Sequence, residues 1–317
     1  MNKKIVFLGT PEVAAEILSH IVENGICISA VITQPDKLTG RNKILTSPPV
    51  KKIANKFSIK TYQPDTDESL EKVLKESSCD YAIVVAYGRI LKENILNILP
   101  YGFYNIHFSL LPKYRGADPV RKAILNLESE SGVTIFKIDK GIDSGDILLK
   151  EKILIYPDDT STTLFKKLIP LSKKMIMDAI KIIDSGNIRL TPQTGEVSYA
   201  HKINVNDTFI DFREPSIHVY AKVRAFSFDP YSRFYFKRKD RNIAVQIISA
   251  KHVSKIDDRF MPGSLVGFEK GKGILVKCGD DGIFLEHIKP EGGKIVNAYD
   301  YFINGMKLNA GDKIYEY

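Results

Sequence analysis

The chain has 317 residues, a formal net charge of +8 and 44% hydrophobic residues, with three cysteines and six histidines. That length suits two domains with sizeable cores, and no apolar run is long enough to span a bilayer. Cys27, Cys79 and Cys278 are odd in number, widely spaced and without a Cys-x-x-Cys, which excludes a disulfide framework or zinc cage and fits a reducing cytoplasm.

The histidines lack metal-ligand spacing, so no metal site is expected. The positive charge suggests a polyanionic partner. The start pairs two lysines with an apolar run that stops at Gly9-Thr10-Pro11, too short for a secretion signal. Residues 4–8 read instead as a first buried strand. A helix follows to about Asn24, with Pro11 in its first turn.

Strands are predicted over 26–33, 59–62 and 81–86, and helices over 49–57 and 68–76. Branched apolar runs alternating with helical patterns predict an α/β fold, a Rossmann-like, mostly parallel sheet with helices on both faces. A dinucleotide site is rejected. Its fingerprint needs Gly-x-Gly-x-x-Gly, whereas the first turn has Gly9 alone, followed by Thr-Pro-Glu.

The stretch 34–44, Gln-Pro-Asp-Lys-Leu-Thr-Gly-Arg-Asn-Lys-Ile, is polar, basic and longer than an ordinary strand–helix connection. It reads either as a mobile surface loop or as a basic finger that reaches phosphates. Residues 86–91 close a buried strand and open a helix. Ligands of open parallel sheets sit beyond the carboxyl ends of strands, so Tyr87 to Leu91 form a candidate wall for a flat ring, although Ile90 and Leu91 also read as core.

Residues 104–108 predict a short strand that projects Asn105 and His107 to one face. The following Pro112 and Gly116 place that pair where the strand opens into a loop. An amide can hold a developing oxyanion while an imidazole moves a proton near neutral pH. A helix over 117–127 and a strand over 132–139 lead into Lys140-Gly-Ile-Asp-Ser-Gly-Asp146. This turn lacks calcium-loop spacing. It reads either as a plain turn or as the source of a carboxylate that orients His107 and raises its pKa; residue patterns leave Asp139, Asp143 and Asp146 open.

A strand over 147–155 and a long amphipathic helix over 161–185 complete the first domain, 1–189. The Pro- and Gly-containing segment 190–204 reads as a linker. Over 205–317 short alternating runs predict a small OB-like β-barrel with one helix near 216–226. Arg233, Tyr235 and Lys237 would share one strand face, opposite Phe234 and Phe236. With Arg238 they form a basic strip suited to a phosphate backbone.

Asn105-x-His107, Ser109-Leu-Leu-Pro-x-x-Arg-Gly116 and Gly141-Ile-Asp-Ser-Gly-Asp146 together resemble the folate-dependent formyltransferases, from the first strand nearly to the C-terminus. The segment 34–41 is similar to the Gln-Pro-Asp-x-x-x-Gly-Arg loop of those members that act on tRNA. The resemblance implies formyl transfer from 10-formyltetrahydrofolate to the amine of initiator Met-tRNA, by a cytoplasmic monomer. It implies Asn105, His107 and Asp143 as catalytic residues. It implies Ser109, Leu110, Leu111, Pro112, Tyr87, Gly88, Ile90, Leu91 and Asp139 around the folate. Arg41, Lys43, Arg233, Lys237 and Arg238 would contact tRNA. An amino sugar nucleotide as acceptor and a non-catalytic RNA-binding protein are the competing readings. The chain departs from the pattern at Asn42-Lys43-Ile44, Phe108 and Lys137, and in having no tryptophan.

Overall fold

The computed structural model describes residues 3–40, 43–228, 230–238 and 241–315. It divides into two compact units, each treated by itself. The first comprises Met1–Pro119, Ser131–Ile153 and Lys166–Ala200; the second comprises Val120–Glu130, Leu154–Phe165 and His201–Tyr317.

The first unit opens with β1 (Ile5–Gly9), α1 (Glu12–Glu23) and β2 (Ile28–Ile32). The run Ile-Val-Phe-Leu-Gly in β1 is buried at every position, as expected of a strand covered on both faces. In α1, Ala14, Ile17, Leu18 and Ile21 are buried, the spacing of one helical stripe. The expected loop over 34–44 contains a small antiparallel hairpin of β3 (Lys37–Thr39) and β4 (Ile44–Thr46). Next come α2 (Pro49–Lys56), β5 (Thr61–Tyr62), α3 (Asp67–Ser77) and β6 (Tyr81–Val85). Thr66 caps α3 by accepting from the Ser69 N–H, 3.1 Å away.

The helix expected straight after β6 is delayed: residues 86–92 are irregular, and only the short α4 (Glu93–Leu96) follows. Then come β7 (Gly102–His107), the two-residue β8 (Arg115–Gly116), α5 (Pro119–Leu125), β9 (Glu130–Lys137), β10 (Ile147–Leu154), α6 (Ser161–Ser185) and β11 (Tyr199–Ala200), of which α5 after Pro119 and the start of α6 fall in the second unit. The main sheet has the order β10-β9-β7-β6-β1-β2-β5. The strands β7, β6, β1, β2 and β5 are mutually parallel, and β9 runs antiparallel to β7. The sheet is thus mixed, with its parallel part ending at the strand that carries Asn105 and His107.

The second unit holds α7 (Ser216–Ala225), β12 (Arg233–Arg238), β13 (Arg241–Val253), β14 (Leu265–Glu269), β15 (Gly273–Lys277), β16 (Gly282–Pro290) and β17 (Val296–Asn297). The sheet order is β12-β13-β16-β15-β14, with β17 on β16, and each of these pairings is antiparallel. Phe212, Phe234, Val245, Ile274, Leu285 and Phe302 belong to its core. No helix among the described residues is long and apolar enough to cross a membrane.

Candidate active site

Strand β7 delivers its last residues to the carboxyl end of the parallel sheet, beside β6 and β9. Asn105 lies between Val84 and Phe136 in register, and His107 lies opposite Thr134. The two share a face, as the period of the strand requires. Asn105 is half-buried, and among the described residues its side-chain amide has no hydrogen-bond partner. His107 is buried, with 5% of its surface exposed, and stands edge-on to Phe136.

Two neighbours define the state of the His107 ring. Its Nε2 is 2.9 Å from the Tyr114 carbonyl oxygen. A carbonyl only accepts, so the neutral imidazole carries its proton on Nε2. Its Nδ1 then carries no proton and faces Asp143 Oδ2 at 3.5 Å, so the two attract only when the ring takes up a second proton. Burial lowers the His107 pKa below its usual value, and the Asp143 carboxylate and Tyr114 carbonyl partly oppose that shift. The expectation that Asp143 raises the pKa is therefore right in sign for that one contribution, but desolvation outweighs it.

The Asp143 carboxylate is held in turn. Its Oδ2 accepts from the Gly116 N–H at 2.7 Å, and its backbone takes a positive φ of 46°. A side chain at position 116, where φ is +117°, would collide with the Ala200 carbonyl, so glycine suits this close approach. Of the other two acidic candidates, Asp139 spends Oδ1 within the turn, accepting from the Gly141 N–H and the Ser144 hydroxyl at 3.0 and 2.7 Å. Asp146 is exposed, with its carbonyl bonded to the Lys137 N–H at 2.9 Å.

The loop after His107 is shaped by buried polar contacts. Thr134 donates its hydroxyl to the Ser109 carbonyl at 2.7 Å and accepts from the Leu111 N–H at 3.2 Å. The Ser109 hydroxyl donates to the Lys113 carbonyl at 2.6 Å. Ser109, Leu111 and Pro112 are buried and Leu110 is half-buried, with a cis peptide bond between Leu111 and Pro112. In the segment after β6, Tyr87 and Leu91 belong to the hydrophobic core. The Tyr87 carbonyl accepts from Thr10 and Gln34, at 2.9 and 3.3 Å. Gly88 has a φ of +83°, and Ile90 is 79% exposed. Ile90 is thus the apolar side chain of this segment open to a ligand. Of the departures from the pattern, Phe108 is buried, and the end of the Lys137 side chain lies against Gly102.

The basic residues lie elsewhere. Arg41 falls outside the described residues. Lys43 is exposed in the β3–β4 hairpin, whose base is tied through Asp36 to Lys51, Gln63 and Ser47. In β12 the side chains alternate as expected: Phe234 and Phe236 are buried, whereas Tyr235, Lys237 and Arg238 are exposed and Arg233 is half-buried. Tyr235 stacks on Phe209 with centroids 4.7 Å apart.

Sequence reasoning missed the segment that holds this site together. Residues 190–200, expected within a linker, belong to the first unit. Thr191 exchanges two backbone hydrogen bonds with Ile147, at 2.8 and 2.9 Å. Ser198 accepts from the Tyr114 N–H at 2.9 Å, and β11 pairs with β8 in parallel. Between them Gln193 contacts both Arg115 and the Asp143 turn. A lone glutamine in a polar Pro/Gly stretch carries no sequence signal for such a role.

Two family models match the chain, formyl transferase over residues 3–180 and the formyl transferase C-terminal domain over residues 202–306. The chain is 38% identical to a methionyl-tRNA formyltransferase of Kosmotoga olearia over 93% of its length and 94% of that protein. It is equally identical to the methionyl-tRNA formyltransferase of Caldicellulosiruptor saccharolyticus, over 97% and 98%. The chain belongs to the methionyl-tRNA formyltransferase family.

Among solved structures, an N-formyltransferase from Helicobacter canadensis in complex with folinic acid and dTDP-3-aminofucose has a similar fold. Its TM-score is 0.66 at 24% identity, over 89% of this chain and 98% of that one. HypX from Aquifex aeolicus in complex with tetrahydrofolic acid gives a TM-score of 0.67 at 14% identity, over 98% of this chain but 49% of its own. Both likenesses concern the fold. As a member of the methionyl-tRNA formyltransferase family, the chain carries the family's two matched regions in order, with Asn105, His107 and Asp143 in the first.

Proposed function

We propose that this enzyme passes a formyl group from 10-formyltetrahydrofolate to the α-amine of methionine on initiator Met-tRNA. The observation that carries the chemistry is an Asn105 amide without a hydrogen-bond partner among the described residues, on the same strand as a His107 ring that faces the Asp143 carboxylate of the 140–146 turn at 3.5 Å. The amine nitrogen bonds to the formyl carbon, and the carbonyl oxygen becomes an oxyanion. The Asn105 amide donates to that oxyanion. His107 Nδ1, the ring's unprotonated nitrogen, accepts the proton released by the attacking amine. The Asp143 carboxylate stabilises the resulting imidazolium. The same proton then passes to the folate N10 as the bond from the formyl carbon to N10 breaks.

The pterin would lie across the carboxyl ends of β6 and β7, against Ile90 and the 109–112 loop. Gly88 and Asp139 would shape its surroundings, and the buried Tyr87, Leu91, Ser109 and Leu111 would hold the wall from behind. Arg41 and Lys43 would meet the tRNA near its acceptor end. Arg233, Lys237 and Arg238 would meet its phosphates on a C-terminal support domain, over 205–317. The enzyme acts as a cytoplasmic monomer in this reading.

The test is acceptor choice. Purified protein is mixed with 10-formyltetrahydrofolate and either initiator Met-tRNA, elongator Met-tRNA or a dTDP-amino sugar. Formylation of the initiator alone supports the reading. Formylation of the sugar alone, or of none, overturns it.

A further inference from the structure

Gln193 sits at the middle of the 190–200 segment and bonds in two directions. Its Nε2 donates to the backbone carbonyls of Asp143 and Gly145, both at 2.8 Å. Its Oε1 accepts from Arg115 Nη2 at 2.7 Å and Nε at 3.2 Å. The side-chain amide thus joins the loop after His107 to the turn that carries Asp143. No other residue type of this length offers an oxygen for a guanidinium and two N–H donors for two carbonyls at once.

The turn needs such a hold. Asp143 has a φ of 46°, a left-handed conformation uncommon for non-glycine residues although Asp tolerates it better than most. Gly145 packs so tightly on the Lys137 carbonyl that a Cβ would collide. The carboxylate oxygen that faces His107, Oδ2, accepts from the Gly116 N–H at 2.7 Å, and Gly116 follows Arg115 directly. Gln193 therefore fixes the backbone of Asp143 directly and also holds Arg115, the residue next to the one that fixes the carboxylate. Both fixings determine the gap between Oδ2 and His107 Nδ1.

We propose that Gln193 is a positioning residue for catalysis, setting the distance between Asp143 and His107 through Arg115 and the 143–145 backbone. The inference rests on the proposed roles of His107 and Asp143. It extends them to a residue outside the loops that carry the reacting groups.

The experiment is a double-mutant cycle read in single-turnover formylation of initiator Met-tRNA. The variants are Q193M, D143N and the pair. Q193M keeps the length of the side chain but loses both donors and the acceptor. Q193E, made alongside, keeps the acceptor for Arg115 and loses the donors to the two carbonyls. In the parent background Q193M and Q193E lower kcat by about five- to thirty-fold, reaching at most the loss expected when the Asp143 charge is removed altogether. The KM values for folate and tRNA change little. The acid limb of the kcat profile moves to lower pH, because a displaced carboxylate no longer raises the His107 pKa. In the D143N background Q193M has little further effect, since residues acting as a unit are not additive.

Three outcomes overturn the inference. Parent-like kcat and pH profile for Q193E and Q193M remove Gln193 from catalysis. An equal loss from Q193M with and without D143N shows a general structural role, and leaves the reading of Asp143 standing. A D143N protein as active as the parent removes the reading of Asp143 and this inference with it. If Q193M fails to fold, Q193E paired with D143N makes the same comparison.

Discussion

Replacing Asp143 by Asn removes a charge and keeps the shape, so it isolates what the carboxylate does for His107. The two groups stand 3.5 Å apart, with 6% and 20% of their side chains exposed. At that separation and an effective dielectric constant of about 20, a full imidazolium–carboxylate pair interacts by roughly 5 kcal/mol. The rate depends only on the part of this energy present in the transition state. There the proton is about half transferred, and the Asp143 charge is already shared with the Gly116 N–H. A transition-state contribution of about 2 kcal/mol follows, or about thirty-fold in rate. Single-turnover formylation of initiator Met-tRNA, with both substrates saturating, reads it directly. The loss should fall on kcat, with the acid limb of its pH profile displaced to lower pH because His107 loses the contact that raises its pKa. A D143N enzyme within about three-fold of the parent, with an unmoved profile, would refute the reasoning, since even 1 kcal/mol gives about five-fold.

Asn105→Ala should lower kcat by about a hundred- to a thousand-fold, the scale for one oxyanion donor, with little change in KM. Substitution of Arg41 by Ala should raise KM for Met-tRNA and flatten its salt dependence by about one counterion, whereas an acceptor other than tRNA would leave the salt slope unchanged. Thr134→Val strips the hydrogen-bond partner from the buried Ser109 carbonyl and Leu111 N–H, and should destabilise by about 1–3 kcal/mol, measured as a lower urea midpoint. Because His107 has a lowered folded pKa, the unfolded chain binds more protons between that value and ~6.5. The stability present above ~6.5 should therefore be lost as the pH falls through the folded value. His107→Gln should flatten that part of the curve of urea midpoint against pH.

The sequence revealed what rests on side-chain patterns. Wholly apolar runs as short as 5–9 and 81–85, bounded by turn residues, favour strands covered on both faces, and the alternation around Phe234 and Phe236 fixes which face of β12 is exposed. Asn105 and His107 were legible because strand period alone places them together. Features held by backbone atoms were not. The Tyr114 carbonyl that decides the His107 tautomer leaves no trace in residue identity. The antiparallel turn of β9 onto β7 depends on chain direction, not on composition. The hairpin at 37–46 consists of three-residue strands with mostly exposed side chains, so it offers no alternation to read. The 190–200 segment resembles a linker because many of its bonds are made by main chain, as at Thr191, Ser198 and Ala200, with Gln193 and Ser198 adding side-chain bonds.

The central claim is that His107 moves the proton during formyl transfer. The measurement that meets it most directly is the single-turnover rate of initiator Met-tRNA formylation for His107→Gln, which keeps an amide near the position of the ring but cannot titrate. A loss of about a hundred- to ten-thousand-fold in kcat, with a pH-independent residual rate, is the predicted result. A His107→Gln enzyme that formylates at the parent rate and follows the parent pH profile would contradict it.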